Sequence, residues 1–400
     1  MTSFDTRAIH VGQRPDPTTG DVVPPIHVAT TYVSDKVGVP DHGYEYARAA
    51  NPTRDAFQRA LADLEGGEGA LAFPAGMSAE DTVTRALTRP GDHITFGADV
   101  YGGTFRLFTI VAPAEGRTST PLDARDLAAV EADLAANHSR FVWVETPSNP
   151  LLQVVDLLAL ADLAHAHGAL LVVDNTFATP VLQRPIELGA DIVVHSTTKY
   201  IGGHSDVLGG AAVVREGLRL PDGLADRGWS GTDSVLEELH FLQNAVGSVQ
   251  SPVDVHLLHR GLKTLPLRVR AQSANALAVA QFLAAHPGVQ AVHYPGLPGD
   301  PGHDLAATQM TGGFGGVVSF DLGTAERAQL FATSTKLFAL AVSLGAAESL
   351  VEYPGVMTHG VKADQPGAIP PGLIRLAIGL EDPEDLVADL EQALAAVDRV

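Results

Sequence analysis

The sequence predicts an α/β protein, with a large domain built on a mostly parallel sheet and a smaller α+β domain after it. Three observations predict this. Apolar runs such as Phe141-Val142-Trp143-Val144 and Leu170-Leu171-Val172-Val173 show no polar alternation, as expected of strands buried on both faces of a parallel sheet. Strand-like and helix-like stretches alternate along the chain from Pro52 onward, which sets helices on both sides of that sheet. The 400 residues, 45% of them hydrophobic, exceed one small module and supply core for two domains.

Taken in order, residues 1 to about 55 are rich in Pro, Thr, Asp and Gly and show little periodicity, so they read as an arm without a core of its own. Thr53-Arg54-Asp55 opens a helical run with apolar residues at Ala56, Phe57, Ala60, Leu61 and Leu64, and Gly66-Gly67 stops it. Short strands are expected at 70–73, 93–96, 141–144, 170–173 and 191–194, and helices at 79–87, 127–134 and 157–165. Further on, helices are expected at 235–245, 269–285, 325–333 and 385–397, and a strand at 316–321. A boundary near residue 250 divides the chain into an arm (1–55), a large α/β domain (56–250) and a C-terminal α+β domain (251–400).

Composition removes several classes of function. The chain has 26 Lys and Arg against 47 Asp and Glu, a formal charge of −21, which opposes general nucleic-acid binding. Zero cysteines exclude a disulfide scaffold, an iron–sulfur centre and a cysteine nucleophile. No apolar stretch approaches the ~20 residues of a membrane span, and residues 1–11 carry Asp5, Arg7 and His10 rather than a hydrophobic leader. A cytoplasmic protein is the expectation. There is no His-Glu-x-x-His, no P-loop, no Gly-x-Ser-x-Gly, and Gly312-Gly313-Phe314-Gly315-Gly316 precedes a strand instead of following one. No metal site is expected, and a dinucleotide-binding oxidoreductase is disfavoured.

Ligands of open α/β sheets bind beyond the carboxyl ends of the strands. The residues there are Pro74-Ala75-Gly76-Met77, Glu145 to Asn149, Asp174-Asn175-Thr176 and His195-Ser196-Thr197-Thr198-Lys199. Pyridoxal phosphate needs an amine, a carboxylate for its ring nitrogen and donors for its phosphate. Lys199 can supply the amine, Asp174 the carboxylate, Ser196 and Thr198 hydroxyls, and the helix entry at Gly76-Met77 backbone N–H groups. The chain has only five lysines, and Lys199 alone follows a buried-type strand. Each of these residues, taken singly, also fits a plain turn or cap.

The segment Val193 to Asp206, with Ser196-Thr197-Thr198-Lys199 at its centre, resembles the cofactor-lysine segment of the Cys/Met-metabolism pyridoxal-phosphate enzymes, the trans-sulfuration family. Other segments match in the same order: Tyr44 to Arg48 with Asn51 to Arg54, Asp99 to Thr104, Glu145 to Pro150, Val173 to Phe177, Arg260 to Leu265, Tyr294 to Leu297, and Ser343 to Gly345 through Met357-Thr358-His359. The resemblance covers nearly the whole chain. It implies the fold type I (aspartate aminotransferase-like) architecture and a homotetramer, a dimer of dimers with shared active sites. It implies Lys199 as the cofactor lysine and proton shuttle, and Asp174 as partner of the ring nitrogen. Gly76, Met77, Ser196 and Thr198 would hold the phosphate. Tyr101 would stack on the ring, and Tyr46 and Arg48 would reach the phosphate of a neighbouring subunit. Asn149, Ser343 and Arg375 would bind the substrate.

Within that family, Tyr101-Gly102-Gly103-Thr104-Phe105-Arg106 resembles the pattern of the γ-carbon enzymes, and no cysteine stands in this loop as it does in methionine γ-lyases. Glu352 is expected to hold the distal ammonium of cystathionine and Arg106 a distal carboxylate. The resemblance thus implies α,γ-elimination of cystathionine (a γ-lyase) first, and γ-replacement on an O-acylhomoserine by cysteine (a γ-synthase) as the alternative. Departures are Ala75 where a Ser is usual, Ala346-Ala347, Gly360, and a stretch at 218–235 that is longer than usual.

Overall fold

The computed structural model describes residues 2–221, 223–224, 228–360 and 368–399. Asp222 and residues 225–227, within the long 218–235 stretch, lie outside the described residues, as does Lys362. Its strands in chain order are β1 (Gly69–Phe73), β2 (His93–Gly97), β3 (Thr118–Leu122), β4 (Phe141–Glu145), β5 (Leu170–Asp174), β6 (Ile192–His195) and β7 (Gly210–Val214). They continue with β8 (Ala291–His293), β9 (Val317–Asp321), β10 (Ala339–Leu340), β11 (Leu350–Glu352) and β12 (Leu373–Ala377). The chain divides into two compact units, residues 1–88 with 191–265, and residues 89–190 with 266–400.

In the first unit β7 lies between β1 and β6 and runs antiparallel to both. The apolar runs predict parallel neighbours, and the connection explains the difference. A parallel crossover needs a dozen or more residues, usually with a helix, whereas residues 196–209 between β6 and β7 contain none. The helix Pro52–Glu65 is capped by Asn51, whose side chain accepts from the N–H groups of Thr53 and Arg54, and Gly66 ends it at φ 78°. The arm is better anchored than its composition suggests. A helix at Phe4–His10 buries Ala8 completely, and Arg7 bonds Asp63 at 3.0 Å. Arg54, itself buried, donates to the carbonyls of Ala47, Arg48 and Ala49.

In the second unit β3, β2, β4 and β5 are adjacent and all parallel. The helices Leu127–Asn137 and Leu157–Ala166 share an apolar core with β4 and β5 that includes Val142, Val144, Leu160 and Leu171. A five-stranded sheet of order β10-β11-β12-β9-β8 follows, antiparallel except for β10 with β11. Its core includes Phe320 edge-on to Phe331, centroids 5.2 Å apart, with Leu283, Leu390 and Leu394 from the helices packed on it. No described helix is long and apolar enough to cross a membrane.

Candidate active site

The segment that carries Lys199 is held from beneath. His195, the last residue of β6, meets Glu65, the last of the helix Pro52–Glu65, Nε2 to Oε1 at 2.5 Å, and both are buried. A charged or strongly polar pair at such depth fixes the strand end only because each partner satisfies the other. From there the chain turns tightly. The N–H of Lys199 donates to the Ser196 carbonyl at 3.1 Å and that of Gly203 to the Lys199 carbonyl at 2.8 Å. Helix Pro252–Leu262 backs this turn so closely that a Cβ at Gly261 would lie 2.3 Å from the Ile201 carbonyl oxygen.

Gly76 opens the helix Gly76–Leu87 beside Ser196, where a Cβ on Gly76 would lie 3.0 Å from the Ser196 Cβ and 3.2 Å from its Oγ. The N-cap residue Ala75 has no side-chain acceptor, so nothing covers the positive end of this helix from its own cap. Gly76, Met77, Ser196, Thr198 and Lys199 therefore belong to one unit, and the structure brings Gly76 and Ser196 together. Thr198 gives its hydroxyl to the Gly209 carbonyl at 3.1 Å and accepts the Gly209 N–H at 2.9 Å. Arg48 is exposed, lies 5.6 Å from the ring centroid of the exposed Tyr46, and donates to the Asn244 carbonyl at 2.6 Å.

The other predicted residues lie in the second unit. Asp174 ends β5 opposite Glu145 in β4, and its Oδ1 accepts the Thr176 N–H at 2.9 Å. Glu145 in turn accepts the backbone N–H of Tyr101 at 2.7 Å, which places Tyr101 at the head of the short helix Gly102–Arg106. Arg106 is exposed. The Tyr101 ring stands edge-on to His359, centroids 6.3 Å apart and planes at 81°.

Arg375 in β12 is 3% exposed. Its Nη1 donates to Asn149 Oδ1 at 3.0 Å, its Nη2 to the Ser343 carbonyl at 3.0 Å and to a Glu352 carboxylate oxygen. Asn149, Ser343, Glu352 and Arg375 are thus one cluster, with Ser343 at φ 116°, a backbone angle that a non-glycine residue adopts only under constraint. Glu352 is 1% exposed and stands directly across the sheet from Arg375. It also accepts the Thr358 hydroxyl. The sequence assigned no role to Glu65, nor to Glu145, Thr358 and His359, which stand only within the strand-end and matching segments. For Glu352 the available signal was a lone acid in Leu350-Val351-Glu352 matched by a lone base in Leu373 to Ala377.

A family model described as Cys/Met metabolism PLP-dependent enzyme matches residues 5–395. Cystathionine gamma-synthase of Mycobacterium tuberculosis (strain ATCC 25618 / H37Rv) is 50% identical over 390 residues, 97% of this chain and 96% of its own length. Cystathionine gamma-lyase of Bacillus subtilis (strain 168) is 46% identical over 393 residues, 97% of this chain and 98% of its own. The crystal structure of metB from Corynebacterium glutamicum superposes with a TM-score of 0.92 at 45% identity, covering 99% of this chain and 98% of that one.

Proposed function

The chain belongs to the Cys/Met-metabolism PLP-dependent enzyme family, and from that premise we propose that it works at the γ-carbon of a four-carbon amino acid, forming cystathionine from an O-acylhomoserine and cysteine. It is a pyridoxal-phosphate enzyme of carbon–sulfur chemistry with the fold type I architecture. The three-segment organisation 1–55, 56–250 and 251–400 is part of the proposal.

The residues fit the cofactor. An uncapped helix end at Gly76, with Ser196 so near that a Cβ there would lie tight against it, suits a phosphate. Gly76 and Met77 would offer N–H groups and Ser196 its hydroxyl, and the Thr198 hydroxyl would join by rotating away from Gly209. Lys199 would hold the aldehyde carbon, Asp174 would keep the ring nitrogen protonated, and Tyr101 would cover the ring. When bound, the group supplies an electron sink for carbanions at the substrate α-carbon. Lys199 Nζ would then carry protons between the substrate's α and β carbons and its γ-substituent, while Tyr101 Oη would help to deprotonate the incoming amino group. Arg375 and Asn149 would orient the α-carboxylate, and Arg106 would recognise a distal carboxylate.

The observation that carries the synthetic direction is the Glu352–Arg375 pair. A cleavage reading gives Glu352 the task of holding the distal ammonium of cystathionine, yet its carboxylate is engaged by Arg375 and Thr358. The 50% identity with a cystathionine gamma-synthase supports the same reading. Elimination from cystathionine is the second reading, favoured by the 46% identity with a cystathionine gamma-lyase. Steady-state assays of the holoenzyme separate them. Synthesis from O-succinyl- or O-acetylhomoserine with cysteine is expected to exceed cystathionine cleavage at least about tenfold in kcat/KM, a difference of about 1.4 kcal/mol. The reverse order assigns the lyase.

A further inference from the structure

We propose that Glu352, Thr358 and His359 form a chain of positioning residues that fixes the carboxylate-binding Arg375 at one end and the Tyr101 ring at the other. Glu352 thereby serves as the standing counter-ion of Arg375 and is no ligand for the distal end of the substrate. This rests on the reading that Arg375 receives the substrate α-carboxylate. None of the three residues is given that role by the resemblance.

The geometry sets the direction of every bond. A carboxylate only accepts, so the contact of Thr358 Oγ1 with Glu352 is donated by the hydroxyl. That uses the single hydroxyl proton. The 2.7 Å contact between Thr358 Oγ1 and His359 Nδ1 must then be donated by the imidazole, which fixes His359 with its proton on Nδ1. The ring so oriented is buried, 1% exposed, and stands edge-on to Tyr101. The backbone closes the same path, since a Cβ at Gly102 would lie 2.2 Å from the Thr358 carbonyl oxygen. Only a residue without a side chain lets the Tyr101 loop approach the Thr358-His359 segment this closely.

At the other end Glu352 and Arg375 face each other in the antiparallel register of β11 and β12. Buried guanidinium and carboxylate neutralise one another there. The cluster uses Nη1 for Asn149 and Nη2 for Ser343 and Glu352, while Arg375 Nε is buried and has no partner among the described residues. Since Asn149 Oδ1 accepts from Arg375, the amide presents its Nδ2 end as a donor. A substrate carboxylate would thus meet Nε–H and Nδ2–H on groups already held in place.

The test reads binding without turnover. Glycine has an α-carboxylate and no distal group, and its complex with the holoenzyme is read from cofactor absorbance. Glu352→Gln is expected to raise the glycine dissociation constant at least about tenfold, and to raise KM for cystathionine and for O-succinylhomoserine by the same factor. Thr358→Val, which cuts the link to His359 and Tyr101, is expected to lower kcat about tenfold with KM within about twofold of wild type. The ion pair is tested separately in the cofactor-free chain. Glu352→Gln should lower the thermal midpoint, and adding Arg375→Met should regain most of the loss. Unchanged glycine affinity in Glu352→Gln, with cystathionine alone affected, would overturn the proposal in favour of a distal contact. Unchanged glycine affinity in Arg375→Ala would instead sink the reading on which the proposal rests.

Discussion

Lys199 is one of five lysines in 400 residues, and the order strand, hydroxyls, lysine singles it out. The geometry gives it a defined place, half-buried in a tight turn whose base is the His195–Glu65 pair. Borohydride reduction of the holoenzyme should leave the pyridoxyl group on Lys199, seen as a peptide that trypsin no longer cuts after that residue. Label on Lys263 or Lys336 would refute the assignment. Reading strand ends brings such residues forward because the C-terminal edge of a sheet is where backbone direction alone collects side chains. It fails for Glu352, whose partner 23 residues away is set by the register between two strands. Nothing in a single strand's sequence fixes that register.

At the level of elements, strands β4 and β5 were legible because every residue of the run is apolar and buried. Strand β3, Thr-Ser-Thr-Pro-Leu, was not. It lies at the end of the parallel row, half exposed, where polar residues and a Pro are tolerated. Strand β7, Gly-Ala-Ala-Val-Val, was missed because its side chains are small, and Gly210 is required by the Ala75 carbonyl oxygen, which a Cβ would meet at 2.2 Å. Helix Pro252–Leu262 illustrates two consequences of packing. Gly261→Ala would push it off the turn after Lys199, and a loss of about 1–3 kcal/mol is expected, measured as a lowered thermal midpoint together with faster release of cofactor on dilution. His259 in the same helix is held near pKa 4, chiefly by burial and then by Lys263 and His256. In the unfolded chain its pKa returns to about 6.5. Between those values the unfolded state binds the extra proton, so this contribution to stability is complete above about pH 6.5 and is lost as pH falls toward 4. The loss would total about 3 kcal/mol. The fall in thermal midpoint from pH 7 to pH 4.5 should be visibly shallower in His259→Asn, and parallel falls would rule the group out.

At the scale of the whole molecule the arm poses the remaining question, which is what its exposed side chains meet. Val22, Val28, Val33 and Val37 are each more than two-thirds exposed, an unusual concentration of apolar surface for one short segment. Tyr46 and Arg48 lie exposed in the same arm, while Arg54 and Asn51 pin its end to the first long helix. We propose that a second copy of the chain covers this surface and receives Tyr46 and Arg48 at its cofactor phosphate, in a closed assembly of two-fold symmetry. The consequence can be counted. A Lys199→Ala chain keeps Arg48, and an Arg48→Ala chain keeps Lys199, so each is expected to be nearly inactive alone. In a mixed pair, the site on the Arg48→Ala chain has its own Lys199 and borrows an intact Arg48, while the other site has neither. Random re-pairing makes half the dimers mixed with one intact site in two, so activity should recover to about a quarter of wild type. The mixture is made by dissociating and reassembling equal amounts, with exchange verified by mass-tagged chains. Mixed dimers present at the expected proportion but without activity would mean that each site is completed within one chain, and that the arm serves assembly alone.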